Sequence, residues 1–252
     1  MYSRPLPAVT ALCLIVLLCA GCTAPTRTLY QEHFLIPVDG SAKDICRPDQ
    51  RGNYPPACFG WKAHSGLEGD RVSHTGPLRR VSIIPEKGPD GLPGRVFAYL
   101  ADTSRLSNQD ILFWTDEFTF YPNQYQDIEF SWLQYDDHRV SHRLAVGIDT
   151  ASGRRWFAST EVFRHPSLSG LRTPYGKNLL RFDAQGFRWI EFPFKAGGDG
   201  APSPFDVSGG TMAGSLPTGA ISAFGIYLEM NSNQDTDAYG RIDDFWIVAK
   251  PR

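Results

Sequence analysis

Apolar residues along this chain fall in short runs, many of them alternating with polar ones, between clusters of Gly, Pro, Asn and Asp. The pattern predicts strands at 28–36, 81–84, 95–100, 111–120, 127–133, 140–148, 155–159, 187–192, 220–230 and 240–248, all rich in Val, Ile, Phe, Tyr and Trp. The alternation is clearest in three of them. Ile128, Phe130 and Trp132 share one face, with Glu129, Ser131 and Leu133 on the other. Val140, His142, Leu144, Val146 and Ile148 oppose Ser141, Arg143, Ala145 and Gly147. Phe224, Ile226, Leu228 and Met230 oppose Ala223, Gly225, Tyr227 and Glu229. Period two with one apolar face marks antiparallel sheets packed on a core. Asp136-Asp137-His138 reads as a polar hairpin turn between the strands at 127–133 and 140–148. Residues 193–219, rich in Gly, Pro and Ser, read as one long loop. No internal repeat and no long amphipathic helix interrupts this rhythm. The fold class it predicts is all-β: a single antiparallel β-sandwich of jelly-roll type.

Residues 1–22 follow a different rule. Arg4 is their one charge, and an apolar run from Ala8 to Ala20 is broken only by Thr10. The run is too short for an ordinary membrane-spanning helix and fits the core of a secretory signal. It ends in Cys19-Ala20-Gly21-Cys22, which resembles the lipobox of bacterial lipoproteins, with Cys19 where that motif usually has Leu. The resemblance implies cleavage before Cys22 and acylation of Cys22, hence a signal peptide at 1–21, a lipidated tether at 22–28 and the sandwich at 29–252. Two or three acyl chains would hold the protein stably on a membrane, at about 0.8 kcal/mol per buried CH₂. Thr23, rather than Asp, follows the cysteine. By resemblance to lipoprotein sorting this implies the outer membrane, with the domain facing the periplasm or the cell surface.

In an oxidising compartment Cys46 and Cys58 are expected to form a disulfide, worth roughly 3 kcal/mol by the loop-entropy model. The chain is 42% hydrophobic and 21% charged, which is ordinary for a globular protein and rules out a wholly disordered one. The net charge of −2 argues against a general nucleic-acid binder.

The two ends carry a second resemblance. Leu29-x-x-Glu32-x-Phe34, then Gly60-Trp61, and a closing Ile242-Asp243-Asp244-Phe245-x-Ile247 resemble bacterial extracellular jelly rolls of the carbohydrate-binding-module and laminin-G-like type. The resemblance implies that the first and last strands pair, and that Glu32, Asp243 and Asp244 contribute oxygens to a structural Ca²⁺, a hard cation that takes 6–8 of them. The loop bearing Asn231, Asn233, Asp235 and Asp237 has alternating side-chain oxygens but lacks the EF-hand pattern, and reads as a polar connection.

The polar faces of the best strands, if neighbours, would gather Glu129, Arg143, Tyr227 and Glu229 on one surface. Trp156 is a candidate stacking platform beside Trp114, Tyr125, Tyr135 and Trp189, although Trp132 and Trp156 also suit a core. Such a face suits a glycan, and the expected activity is non-catalytic glycan binding. A polysaccharide lyase or glycoside hydrolase on the same fold is the alternative, as is a structural envelope protein with a protein partner. A retaining hydrolase needs two carboxylates about 5–5.5 Å apart. The usual E-x-D-x-x-E strand is approached only by Glu68-Gly69-Asp70, with Ser73 in the last place. Arg143, His142, Tyr227 and Gln134 supply the residue types of a lyase without its spacing. No G-x-S-x-G, P-loop or dinucleotide fingerprint occurs.

Overall fold

The structure, a computed structural model, describes residues 24–36, 46–66, 71–73, 75, 79–87, 91–100, 110–136, 140–164, 176–195, 204–230 and 238–252. The expected signal segment with Cys22, and residues 231–237, lie outside the described residues. Thirteen strands are present among those described: β1 (Arg27–Glu32), β2 (Trp61–Ser65), β3 (Arg79–Lys87), β4 (Pro93–Leu100), β5 (Ile111–Thr115), β6 (Tyr125–Asp136), β7 (Val140–Thr150), β8 (Gly153–Ser159), β9 (Gly176–Arg181), β10 (Gln185–Phe192), β11 (Thr211–Ser215), β12 (Ala220–Met230) and β13 (Ala238–Pro251). They form two antiparallel sheets. One runs β3-β4-β13-β6-β9, with β1 also on β13; the other runs β11-β10-β8-β7-β12-β5-β2. The chain is therefore the expected β-sandwich.

β13 organises the six-stranded sheet. Over Ala238–Ile242 one of its edges pairs with β4. Its register with β6 shifts between Asp243 and Trp246, where Asp244 takes a left-handed backbone (φ +48°). Beyond that bulge the edge left by β4 receives β1, with Glu32 opposite Phe245 and Gln31 opposite Trp246. The first and last strands thus lie side by side. β1 begins at Arg27, so the end of the expected tether is already strand.

The inward phase of both sheets builds an aromatic core. Phe224 of β12 stacks on Phe245 of β13 across the sandwich, centroids 5.7 Å apart, and Trp61 stacks on Phe113 at 4.5 Å. Such pairs add about 0.5–1.5 kcal/mol beyond their buried area. His142, on the apolar phase of β7, is buried and accepts a hydrogen bond from Trp132 Nε1 through Nδ1 (3.2 Å). The chain after β1 crosses β4 at Gly94. There φ is +122°, a Cβ would fall 2.0 Å from the Phe34 carbonyl oxygen, and the Ile36 N–H donates to Pro93 O (3.1 Å). Cys46 and Cys58 form the expected disulfide, with Cα atoms 5.4 Å apart.

Two expectations are corrected. Asp137 and His138 of the expected hairpin turn lie outside the described residues, and the flanking strands β6 and β7 belong to different sheets rather than pairing as a hairpin. Nor is 193–219 one loop. Thr211–Ser215 is strand β11 beside β10, and Phe194, Phe205 and Val207 pack onto the outer face of the seven-stranded sheet. There they build a second apolar cluster with Leu112, Trp114, Trp156, Phe192 and Tyr227. β12 is consequently buried on both faces.

Candidate functional site

The outer side of the seven-stranded sheet holds most of the expected glycan-binding residues, but not as an open surface. Arg143 and Tyr227 are cross-strand partners on β7 and β12. Arg143 donates from Nε to Glu229 Oε1 (2.5 Å) and from Nη1 to the carbonyls of Ser159 and Thr160 (2.9 and 3.0 Å). Ser141 Oγ donates to the other Glu229 oxygen (2.8 Å). The hydrogen bonds of this ion pair thus go to the protein itself.

Tyr227 is fully buried. Its hydroxyl oxygen accepts the Val207 N–H (3.0 Å), and the hydroxyl donates to Asp110 Oδ2. Burial pushes the Asp110 carboxyl up to about 7, the Tyr227 hydrogen bond works against this, Glu229 and Asp206 add to it, and Arg143 lowers it. Trp156 lies under Phe194, ring centroids 5.3 Å apart. Glu129 is on β6 in the opposite sheet, where it accepts from Arg181 Nε (3.1 Å). The single face expected from alternation is therefore two faces, one of them filled by the chain's own aromatics. Period two says which residues share a side of a strand. It does not say which strands are neighbours or what covers them.

The residues expected at a cation are brought to the β1–β13 junction. Glu32 Oε1 accepts the N–H of Phe34 (2.6 Å), closing a turn in which Phe34 has φ +51°, and burial raises the Glu32 carboxyl. Asp243 is buried and accepts the Asp244 N–H (2.9 Å), while Asp244 pairs with His33 Nδ1. Among the described residues, no three His, Cys, Asp or Glu side chains converge as a metal-binding group.

The outer face of the six-stranded sheet is different in kind. In β4, Val96 and Ala98 point into the core while Phe97 and Tyr99 point out; in β13, Ile242 points in while Tyr239 and Arg241 point out. Strand register sets these residues in two rows. Arg80, Tyr99 and Tyr239 lie side by side across β3, β4 and β13. Phe97, Arg241 and Tyr135 do the same across β4, β13 and β6. At strand spacing, each row is about 10 Å wide.

The rings of this face are near parallel: Phe97 and Tyr99 at 20° and 6.2 Å, Phe97 and Tyr239 at 26° and 6.4 Å. Guanidinium groups lie over them. Arg80 is 4.6 Å from the Tyr99 centroid, and Arg241 is 5.2–5.3 Å from Phe97, Tyr135 and Tyr239. Each such contact is worth about 0.5–1 kcal/mol at an exposed site and fixes the side chain's direction. All six side chains are only half-buried.

Further along the same face stands Trp246, edge-on to His33 at 5.6 Å. Trp61, Trp114, Trp132, Trp156 and Trp189 are fully buried, whereas Trp246 is half-buried. Of the platforms expected, Tyr135 is on this face, Trp114 and Trp189 are core, and Tyr125 lines a cleft at one end of the sandwich. Phe97, Tyr99, Tyr239, Trp246 and the two arginines were not anticipated. Their signal is visible in the sequence as large aromatics on the outward phase of strands whose inward phase is Val96, Ala98 and Ile242.

The end cleft, of about 570 Å³, has an apolar floor that includes Phe182 and Leu216, and a rim that includes Tyr121, Asn123 and Asp127. Tyr121 is 51% exposed, Asp127 accepts from Lys250 Nζ (3.1 Å), and Arg252 Nε donates to the Tyr125 carbonyl (2.8 Å).

No family model matches the sequence, and neither does any curated protein. Among solved structures, the chain is similar to a family 11 carbohydrate-binding module from Clostridium thermocellum in complex with a β-1,3-1,4-mixed-linked tetrasaccharide. Identity is 12%, coverage 82% of this chain and 94% of that one, and the TM-score 0.41. It is also similar to an exo-β-agarase, at 16% identity over 75% of this chain with a TM-score of 0.35, and to a further agarase, at 11% identity over 76% with a TM-score of 0.32. In both agarases the matched part is 25% of their length.

Proposed function

We propose that this protein is a lipid-anchored envelope protein that binds a polysaccharide, without cleaving it, on the outer face of the six-stranded sheet. The observation that carries this reading is the pair of aromatic–arginine rows formed by Arg80, Tyr99 and Tyr239 and by Phe97, Arg241 and Tyr135. Pyranose rings present apolar C–H faces that stack on aromatic rings, and hydroxyls that planar guanidinium groups can bond. Rings held near parallel by their neighbours lose little conformational freedom on binding. Trp246 extends the surface along β13. The anchor in this reading is an acylated Cys22, supported by the apolar run and the Cys-Ala-Gly-Cys ending, with the outer membrane as its location.

The test is affinity electrophoresis of the full chain, kept in a non-ionic detergent, through gels containing a panel of neutral and acidic polysaccharides. At least one should retard the parent, and Tyr99→Ala with Tyr239→Ala should release it while the variant still melts cooperatively, its midpoint lowered only by the lost ring contacts, about 0.5–1 kcal/mol each. Retardation by none, or retardation that ignores both substitutions, would sink the reading. Incorporation of labelled palmitate into the parent, but not into Cys22→Ala, checks the anchor.

A further inference from the structure

Resting on that reading, the geometry points to an acidic polysaccharide as the ligand: one bearing carboxylate or sulfate groups, with Arg80 as the residue that receives the anion. The cations of the platform are not equivalent. Arg241 Nε donates to Glu86 Oε2 (3.3 Å), and Arg95 lies 3.5 Å from the other oxygen of the same carboxylate. Those two guanidinium groups share a counter-charge supplied by the chain. Arg80 has none: no carboxylate pairs with it among the described residues, and its Nε is buried without a hydrogen-bond partner.

A buried donor with nothing to bond is a rarity in folded proteins. Here it belongs to a guanidinium spread over Tyr99 and Phe97, 4.6 and 5.5 Å from their centroids. Stacking of this kind occupies the flat face of the guanidinium, and with Nε buried it leaves the edge of the two Nη ends as the donor surface. A carboxylate or sulfate meets such an edge with two parallel, charge-assisted hydrogen bonds, about twice as strong as those from a neutral hydroxyl. Tyr99 lies between Arg80 and Tyr239 in the row, so a sugar packed along the row against the exposed parts of the tyrosines can carry its acidic substituent to the arginine. The low-dielectric rings beneath would strengthen that pairing relative to open water.

The test uses matched ligands in affinity gels of the full chain: polygalacturonate against its fully methyl-esterified form, and dextran sulfate against dextran. We expect polygalacturonate or dextran sulfate to retard the parent at least tenfold more strongly than its neutral counterpart. Retardation by polygalacturonate identifies carboxylate as the anion, and retardation by dextran sulfate alone identifies sulfate. Arg80→Gln should weaken acidic retardation by roughly ten- to a hundredfold, the worth of a charge-assisted pair. Arg80→Lys, which keeps the charge and loses the planar fork, should recover only part of it.

A parent that binds neutral and acidic forms equally, or only neutral ones, would overturn the acidic assignment while leaving glycan binding intact. The same holds if Arg80→Gln melts like the parent and binds acid unchanged. If no polysaccharide of either kind retards the parent, the platform reading itself fails.

Discussion

The backbone N–H of Val207 donates to the hydroxyl oxygen of Tyr227 at 3.0 Å, and this bond ties the segment after Phe205 to the middle of a strand buried on both faces. Tyr227→Phe keeps the ring and removes both the acceptor for Val207 and the donor to Asp110. Leaving such buried groups unpaired should cost about 1–3 kcal/mol. In urea the midpoint should fall with the slope unchanged. An unshifted midpoint would mean that the hydroxyl contributes nothing to holding the segment.

Asp110 gives the fold a pH dependence whose sign follows from its raised carboxyl, at about 7 against about 3.9 for an unperturbed aspartate. Between those values the native chain keeps a proton that the unfolded chain has released, so stability falls as pH rises. The contribution is complete below about pH 4 and gone above about pH 7, with a ceiling of about 4 kcal/mol. Urea melts at pH 5 and pH 8 should show the loss in the parent. Asp110→Asn should remove most of it, leaving the smaller fall from the raised Glu32 carboxyl, and be the more stable protein at pH 8. A variant that keeps the parent's fall would assign the effect to another group.

Reduction should matter. The bond between Cys46 and Cys58 closes a loop with a sequence separation of 12, worth roughly 3 kcal/mol. Cys46→Ser with Cys58→Ser should lower the thermal midpoint, and reductant should lower the parent to the same value. Equal midpoints in all three cases would show that the bridge adds no stability.

Gly91 and Gly94 both have positive φ, at +79° and +122°, but a Cβ at Gly91 meets nothing within 4 Å whereas one at Gly94 strikes the Phe34 carbonyl. Gly91→Ala should therefore cost only the left-handed strain, about 1–2 kcal/mol. Gly94→Ala should cost distinctly more, because the Phe34–Ile36 backbone must move as well. Paired denaturation curves decide this, and equal costs would mean that the crossing yields freely.

The tryptophans should divide between stability and exposure. Trp156→Ala should cost about 3–5 kcal/mol, as a buried ring does. Trp246→Phe should leave the melt nearly unchanged and remove most of the iodide-quenchable fluorescence. Strong quenching that survives this substitution would place another indole at the surface.

Much of the sandwich was legible because its central strands carry their own pattern. All ten expected strands are present, and the alternation of Phe130 with Ser131 or Leu144 with Arg143 assigned the core-facing phase correctly. The three strands that were missed, β2, β9 and β11, each lie at a sheet edge. An edge strand is bonded along one side only and can be held by its neighbour rather than by its own apolar face. Gly176–Arg181 and Thr211–Ser215 show this: the first buries Leu180 and leaves Leu179 44% exposed, and the second has no buried residue at all.

From the residue order alone follow the strand rhythm and the inward phase of β6, β7 and β12, because these depend on neighbours a few positions apart, and the pairing of Cys46 with Cys58, which was expected from an oxidising compartment. The choice of surface does not. Tyr227 and Tyr239 are both aromatics on the outward phase of a strand. One is sealed beneath Val207 and the other stands in a row with Arg80 and Tyr99, because a distant segment lies across the first sheet face and the register of three strands assembles the second.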